Sequence, residues 1–286
     1  MTEVETSRRS AAPHAVTPAD LDIRLVHSEA EARTVVRVLA QVWSRDGELE
    51  PLPPELAWVF AHSGNYVAVA YAGDQPVGAA IGFYGQDDVG PHQHSHIAGV
   101  LPVWQGSNIG YLLKQHQRRW AIDRGLDRIT WTFDPLVARN AYFNVVKLGA
   151  RLTNYYVDFY GPMPDDINSG DETDRCLVSW RLDDAVARAA ADGRFAAAEP
   201  DELVARGAVQ ALHPDADGAP VQTHVAEPVR LVQLPHDIVA VRQTAPALAR
   251  RWRLALREVL VTAFADGLEV AGVTRNSCYV VSAPAD

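Results

Sequence analysis

Short segments with the apolar pattern of strands alternate with longer segments in which apolar residues recur at helical spacing. The strand pattern occurs in residues 22–27, 65–72, 76–84, 94–101, 126–133, 151–160 and 176–182. The helical pattern occurs in residues 28–43, 51–60, 108–124 and 140–148. The order β-α-α-β-β-β-α-β-α-β-β predicts an α/β (α+β) domain with a mixed central sheet flanked by helices. Residues 85–93 are predicted to be a loop.

The same patterns divide the chain into four parts. Residues 1–20 are polar and contain proline, and we expect them to be disordered. The domain with the central sheet covers 21–182, and residues 183–228 are predicted to be an alanine-rich helix followed by a linker. Residues 229–286 have the pattern of a β-α-β-β extension, with strands 229–234, 268–273 and 278–282 and a helix 246–265 whose apolar residues form one stripe. This extension is small for a core of its own. We therefore expect this extension to continue the sheet or to form a homodimer contact.

The stretch from residue 94 to 124 combines a strand, a tight turn and a helix. His94, His96, Ala98 and Val100 share one strand face, and Pro102 ends the strand because proline donates no ladder hydrogen bond. The glycine-bearing turn 105–110 then opens the helix. Unpaired amides and the positive end of the helix dipole make such a turn an anion site. Neither G-x-x-x-x-G-K-[ST] nor G-x-G-x-x-G occurs there; an ordinary strand–turn–helix is the alternative.

This stretch resembles the pyrophosphate loop of the GNAT superfamily, the Gcn5-related N-acetyltransferases. The family pattern is Val-x-Pro followed by [Arg/Gln]-x-x-Gly-x-[Gly/Ala], and Val100-Leu101-Pro102 with Gln105…Gly110 is similar to it. Asn108 departs from the usual glycine, but Asn tolerates a left-handed backbone best among the other residues. The segment NAYFNVVKLGA at 140–150 resembles a second family motif, and the HSH, TWTFDPL and KLGA runs are similar to a bacterial subgroup of predicted acetyltransferases.

The resemblance implies the GNAT fold and acetyl-CoA, or another acyl-CoA, as cofactor. It implies backbone contacts to the cofactor from the end of the central strand and the loop. By position these residues are Val100, Val103, Gln105, Gly106, Ser107, Asn108, Ile109 and Gly110. It also implies that Asn140 and Phe143 contact the cofactor, although Asn140 as a simple helix cap is an equal alternative.

Two histidines are candidates for the base that takes the proton of the acceptor amine. His94 lies six residues before Val100, where the family often has Glu, and His96 shares its face. A histidine pKa near 6.5 suits a base at neutral pH. Half-buried histidines with structural hydrogen bonds are the alternative. A metal site formed with His92 is a third, but three such positions spread over about 13 Å of strand, and we predict no metal.

The remaining candidates are aromatic. The family's usual acid is a tyrosine four residues before the helix-ending glycine, and that position here is Val145. The acid is therefore absent, or supplied by Tyr142, Tyr155 or Tyr156, unless the thiolate leaves unprotonated. Trp131 and Phe133 flank the strand next to the loop and are predicted to bind the acceptor substrate. For each of the three tyrosines, the alternative is an aromatic of the core or of a hairpin.

Composition narrows the partners. The 286 residues have a formal net charge of −10 without a run of Lys or Arg, which argues against nucleic acid and suits a cationic amine. No segment has the roughly 18 apolar residues of a membrane span, and no signal peptide is apparent. Cys176 and Cys278 fit no metal or disulfide pattern. We expect a cytoplasmic protein with no membrane partner.

Taken with the resemblance, these features predict an acyltransferase that moves an acetyl group from acetyl-CoA to an amine of a small molecule. Transfer would be direct, in a ternary complex. One alternative is a GNAT-fold module that binds acyl-CoA without catalysis, which the missing tyrosine and Asn108 favour. Another is a GNAT-fold enzyme that uses a different acyl donor.

Overall fold

The structure is a computed structural model that describes residues 21–43, 50–161, 171–205 and 207–284. The expected disorder of residues 1–20 lies outside these ranges. Among the described residues, no helix is both long and apolar enough to cross a membrane.

Twelve strands and eight α-helices occur in the described residues. The strands are β1 (Leu21–Leu25), β2 (Tyr66–Ala72), β3 (Gln75–Asp87), β4 (Gly90–Val100), β5 (Arg128–Phe133), β6 (Arg151–Tyr156), β7 (Arg175–Arg181), β8 (Val209–Pro214), β9 (Pro220–Gln222), β10 (Arg230–Gln233), β11 (Glu269–Val273) and β12 (Cys278–Ser282). The helices are α1 (Glu29–Trp43), α2 (Pro54–His62), α3 (Ile109–Ile122), α4 (Ala138–Tyr142), α5 (Ala185–Ala191), α6 (Pro200–Ala205), α7 (Ile238–Thr244) and α8 (Pro246–Ala265). A 3-10 turn covers Pro102–Trp104, and a π-helical turn covers Phe143–Lys147.

The predicted order of elements through residue 182 is confirmed, with one wrong assignment. Residues 85–93 form a hairpin and not a loop, because β3 continues to Asp87 and β4 begins at Gly90. The Asp87 carboxylate accepts the amides of Val89 and Gly90 at 3.0 and 3.2 Å, which closes the turn. Because the residues around the turn are polar, the pattern of apolar residues did not extend to the ends of the two strands.

The predicted linker is also wrong in part. Residues 199–227 contain α6, β8 and β9, and the helix predicted over 183–198 is reduced to α5. In the C-terminal extension the three strands and the helix 246–265 are confirmed, but the short α7 was missed. These pieces are short and bounded by prolines, so none carries enough periodic positions to be recognised.

The chain divides into two compact units, whose boundaries fall inside β3, β4 and α3. Unit 1 comprises Met1–Ile81 and Ile97–Leu113, with the strand order β1-β2-β3-β4. Its core lies between this sheet and α1 and α2. Ser28 caps the start of α1, since its Oγ accepts the amide of Glu31 at 3.3 Å. The Glu31 carboxylate accepts the amide of His27 at 2.7 Å.

Unit 2 comprises Gly82–His96 and Lys114–Asp286. Its strand order is β3-β4-β5-β7-β6-β11-β12-β10-β8-β9. Strand β11 pairs with β6 at Val270 and Leu152, so the C-terminal extension continues the sheet. This was one of the two arrangements expected from the sequence. The predicted apolar stripe of α8 is buried within the unit, with Trp252 and Leu256 at 1% and 0% exposure. A homodimer contact stays a prediction.

Candidate active site

In unit 1, the loop between β4 and α3 has the backbone that an anion site needs. Asn108 has φ of +70°, the left-handed conformation expected of it, and Gly106 has φ of +84°. The first amide of α3 with a helical acceptor is that of Leu112, which donates to Asn108 O at 3.1 Å. The amides of Ile109 and Gly110 precede it and have no acceptor inside the helix. These donors and the helix dipole suit a pyrophosphate group.

The side chains of the loop donate hydrogen bonds to backbone carbonyls or are buried. The Gln105 amide donates to Val100 O at 3.3 Å, the Ser107 hydroxyl donates to Trp104 O, and Ile109 is buried in the core of the unit. A Cβ added at Gly110 would meet only Val100 Cγ2, at 3.8 Å. The loop can therefore offer its backbone to a ligand, and a side chain at position 110 would be tolerated by the protein itself.

In unit 2, strands β4 and β5 pair in parallel at only two positions. The pairs are Gln93 with Ile129 and His94 with Thr130. Ser95 and Trp131, the next residue on each strand, are the first residues past the last pair. We call this place, defined by Ser95 and Trp131, the fork.

Directly paired residues of neighbouring strands point to the same face of the sheet. The two faces at the fork differ in how deeply their residues are buried. Gln93, Ile129, Trp131, Val178 and Trp180 belong to one face and are buried. The opposite face carries several half-buried residues: His94 on β4, Thr132 on β5, and Leu177 and Ser179 on β7. Thr130, which pairs with His94 on this face, is buried.

His94 lies on this second face, half-buried. Its Nδ1 is 3.1 Å from Thr130 Oγ1, and its ring centroid is 5.2 Å from that of Phe83. Burial, assisted by the charges of His96, His92 and Lys114, lowers the pKa of His94 from 6.5 to about 4. The imidazole is therefore neutral at pH 7 and able to accept a proton, but it is a weaker base than the sequence alone suggested.

The other two histidines of the strand have separate environments. His92 is buried, with Nδ1 3.2 Å from Arg128 Nη2 and 3.7 Å from Asp87 Oδ2. His96 is exposed, and its ring centroid is 6.0 Å from that of Phe83. No group of three or more His, Cys, Asp or Glu residues within the described ranges is arranged to hold a metal ion.

The tyrosines proposed as acids differ in how their hydroxyls are held. Tyr155 donates to Asp174 Oδ2 at 2.6 Å, and burial together with the charge of Asp174 raises the pKa of Tyr155 far above 10. Its proton is held too firmly for ready transfer at neutral pH. Tyr156 is half-buried with its ring 5.1 Å from Phe159, and burial raises its pKa as well. Tyr142 is half-buried at the end of α4.

Trp131 and Phe133 lie on the buried face, each 7% exposed, and not on the face of His94. The alternation along β5 places them on this face, because Trp131 and Phe133 pair with the buried Val178 and Cys176. Binding of the acceptor substrate by these two residues stays a prediction. The Trp131 ring contacts the ammonium group of Lys114, 3.8 Å from its centroid.

A buried polar cluster at the fork, formed by Gln93, Ser95, Lys114 and Gln117, was missed by the sequence analysis. Lys114 Nζ donates to Ser95 Oγ at 2.8 Å and to Gln117 Oε1 at 3.2 Å. Burial lowers the pKa of Lys114 from 10.5 to about 7. Residue spacing could have revealed this cluster. Lys114 and Gln117 lie on one helical stripe with Ala121, an apolar residue that is buried.

The two residues proposed to contact the cofactor from the short helix lie near its π-helical turn. Asn140 is exposed, and the helix is capped by Val137 without a side-chain hydrogen bond. The alternative in which Asn140 is the helix cap is therefore wrong. Phe143 is half-buried and begins the π-helical turn, a feature frequent at functional sites.

A comparison with family models matches residues 33–144 to the acetyltransferase (GNAT) family. This match identifies residues 33–144 as part of a GNAT acetyltransferase domain. This match includes β4, the loop and α3, and the GNAT order of strands and helices continues through β7. A search of curated proteins gave no match.

Several solved structures are similar to a part of this chain. A GNAT acetyltransferase from Streptococcus pneumoniae is 19% identical, covering 56% of this chain and 98% of that protein, with a TM-score of 0.45. The ribosomal-protein-S18-alanine N-acetyltransferase of Escherichia coli is 13% identical, covering 58% and 96%, with a TM-score of 0.46. A GNAT acetyltransferase from Elizabethkingia anophelis, solved with acetyl-CoA bound, is 16% identical, covering 57% and 99%, with a TM-score of 0.45.

Proposed function

We propose that the protein is an acyl-CoA-dependent N-acyltransferase that acylates an amine of a small molecule by direct transfer. Three features support this proposal: the GNAT family match, the anion-binding backbone of the loop, and a neutral histidine on the open face of β4. The loop carries most weight, because the amides of Ile109 and Gly110, which begin α3 after the loop, have no acceptor inside the helix and lie within the residues that match the family.

Each step of amide formation has a group that can perform it. The loop amides would hold the pyrophosphate of acetyl-CoA or another acyl-CoA, with Val100 and Val103 near the pantetheine. His94 would take the proton of the attacking amine. Its Nδ1 contact to Thr130 orients the ring, and with Nδ1 as donor the acceptor is Nε2. The thiolate would leave unprotonated or with a proton from Tyr156, since Tyr155 is committed to Asp174.

The test is a thiol-release assay with acetyl-CoA over a panel of small amines, run beside calorimetric titration with CoA. We expect CoA binding and amine-dependent thiol release that is linear in enzyme concentration. Absence of CoA binding would contradict the proposal as a whole.

Gly110→Glu is expected to lower CoA affinity at least tenfold, about 1.4 kcal/mol. The new carboxylate would lie against the bound pyrophosphate and repel it. Because a Cβ at position 110 meets only Val100 Cγ2 at 3.8 Å, folding should be little affected, and circular dichroism checks this. Gln41→Glu, which adds the same charge at an exposed position of α1, is the matched control and should bind CoA as the wild type does. Unchanged CoA affinity in a folded Gly110→Glu protein would remove the loop assignment.

A non-catalytic module that binds acyl-CoA is the second candidate. It is favoured by Val145, a buried residue where the family usually has its tyrosine, and by the low basicity of His94. The same pair of assays separates the two candidates, since the module would bind CoA but release no thiol with any amine.

A further inference from the structure

We propose that Lys114 binds a carboxylate carried by one of the two substrates, the acyl donor or the amine. The inference rests on the proposed acyltransferase function and adds a substrate class to it. The chemistry would be a dicarboxylic acyl-CoA, such as succinyl-CoA, or an amino acid as acceptor.

The position of Lys114 comes first. Its Nζ lies 2.8 Å from Ser95 Oγ on β4 and 3.8 Å from the centroid of the Trp131 ring on β5. It therefore touches the first unpaired residue of each strand at the fork. Backbone groups of β4 and β5 that are no longer paired with each other become available to a ligand at this place.

The missing counter-charge is the second observation. Lys114 is 7% exposed, and a lysine this buried is almost always paired. Within the described ranges, however, no carboxylate lies within ion-pair distance of Lys114, whose polar partners are the hydroxyl of Ser95 and the amide oxygen of Gln117. These neutral groups orient the amine but cannot neutralise an ammonium ion.

Unsatisfied amides at the same place are the third observation. Gln93 and Gln117 are both 0% exposed. Neither side-chain atom of Gln93 has a hydrogen-bond partner within the described residues, and Nε2 of Gln117 has none there either. Both Nε2 atoms converge beside Gly82, where an added Cβ would lie 2.8 and 3.0 Å from them. A buried donor without a hydrogen bond destabilises the protein, so such donors are expected to serve a ligand.

Together these groups match the needs of a carboxylate. A carboxylate is an acceptor with two oxygens, and the cluster offers a cation and two amide N–H donors that remain unsatisfied. Burial alone lowers the pKa of Lys114 to about 7, so near pH 8 its amine is mostly neutral without ligand. A bound carboxylate would favour the ammonium form, and Lys114 would take up a proton from solvent as the ligand binds.

The first experiment, the donor arm, tests whether the acyl donor carries the carboxylate. In calorimetry at pH 8, succinyl-CoA and acetyl-CoA are titrated in buffers of different ionisation enthalpy. If the donor carries the carboxylate, succinyl-CoA should bind at least tenfold more tightly than acetyl-CoA, with extra uptake of close to one proton. His94, the titratable neighbour that interacts with Lys114, has a pKa of about 4 and stays neutral in both states. The second experiment, the acceptor arm, tests whether the amine carries the carboxylate. It compares the KM values of amino acids with those of the corresponding decarboxylated amines. If the acceptor carries the carboxylate, the amino acids should have a KM at least tenfold lower.

Lys114→Met should abolish the preference and, in the donor arm, the proton uptake, while acetyl-CoA affinity stays within about twofold of wild type. Lys147→Met is the matched control, because Lys147 also packs on an aromatic ring, 3.8 Å from the centroid of Phe195. It should keep the carboxylate preference. Lys114→Gln is the second variant if the methionine protein does not fold.

Normal acetyl-CoA binding without a carboxylate preference in either arm would overturn the role of Lys114 and leave the acyltransferase proposal intact. A preference that survives Lys114→Met would overturn it as well. If Lys114→Met lowers kcat with acetyl-CoA and a carboxylate-free amine, at unchanged Kd and KM, then Lys114 acts in proton transfer and the carboxylate proposal is overturned. If no acyl-CoA binds the wild-type protein, the proposed function and this inference both fail.

Discussion

Arg253→Met is expected to lower the free energy of unfolding by about 3–5 kcal/mol, the usual cost of removing one partner from a buried ion pair. Arg253 is 1% exposed on α8, and its guanidinium contacts Asp134 at 2.8 and 3.0 Å and Asp171 at 2.8 Å. The variant would leave Asp134 buried with Arg242 as its remaining cation. Because Asp134 follows β5, the same contacts attach the C-terminal extension to the rest of unit 2. Urea unfolding followed by circular dichroism measures the change.

Arg250→Met is the matched control for this experiment. Arg250 lies one turn earlier on α8, and its guanidinium is 3.5 Å from Glu172 with 70% of the side chain exposed. Exposed ion pairs contribute little, so the loss should be below about 1 kcal/mol. Equal losses in the two variants, or a loss below 1 kcal/mol for Arg253→Met, would show that the buried network does not stabilise the fold.

The loss in Arg253→Met should also depend on pH. Burial alone would raise the pKa of Asp134, but Arg253 and Arg242 hold it below its usual value. A carboxyl with a lowered folded-state pKa stabilises the protein above its unfolded pKa of about 3.9, and this contribution is lost as pH falls towards the folded value. Without Arg253, the pKa of Asp134 should rise, so that protonation near pH 4 relieves the buried charge. The difference between variant and wild type should therefore shrink as pH falls from 7 to 4.

Periodic apolar patterns were sufficient to predict the order of elements in the GNAT domain. Helix 246–265 was predicted with its observed bounds because its apolar stripe is long and a proline begins it. Glycine chemistry was informative too. Gly149, predicted as a helix end, has φ of +71°, and an added Cβ would lie 2.8 Å from the backbone of Val186. Short elements such as α7 and β9 carry too few periodic positions for such a prediction.

The candidate site was less predictable than the fold, because its features depend on contacts between distant residues. The loop could be proposed from its own residues, and Asn108 has the expected left-handed backbone. Polar residues on a helix are assumed to face solvent, so Lys114 and Gln117 were overlooked on the buried stripe. The face of β5 on which Trp131 lies could not be predicted from the sequence, since only the pairing with β7 shows which side of β5 is covered.

His94→Ala is expected to lower kcat by about 10²–10⁴, the typical contribution of a general base. CoA affinity should stay close to wild type, because the cofactor contacts proposed here are made by the backbone of the loop. Steady-state kinetics at pH 7 with an active amine, beside calorimetry with CoA, gives both numbers. The loss should shrink at higher pH, where more of the amine is already deprotonated.

His96→Ala is the control for His94→Ala, since His96 is exposed on the same strand. Its ring has one aromatic neighbour in common with His94, Phe83, at 6.0 Å. If His96 is only a packing residue, its removal should change stability slightly and leave kcat nearly unchanged. Equal losses of kcat in the two variants would indicate that the strand face, and not His94 itself, is required.

The pH–rate profile distinguishes the role of His94 further. A base works in its deprotonated form, and burial lowers the pKa of His94 to about 4. Activity that depends on His94 should therefore be complete above about pH 5 and fall only as pH approaches 4, whereas an unperturbed histidine would lose activity near 6.5. An active His94→Ala enzyme with a wild-type profile would exclude His94. Bulk water would then be the remaining acceptor, because burial raises the pKa of both Tyr155 and Tyr156 and keeps their hydroxyls protonated.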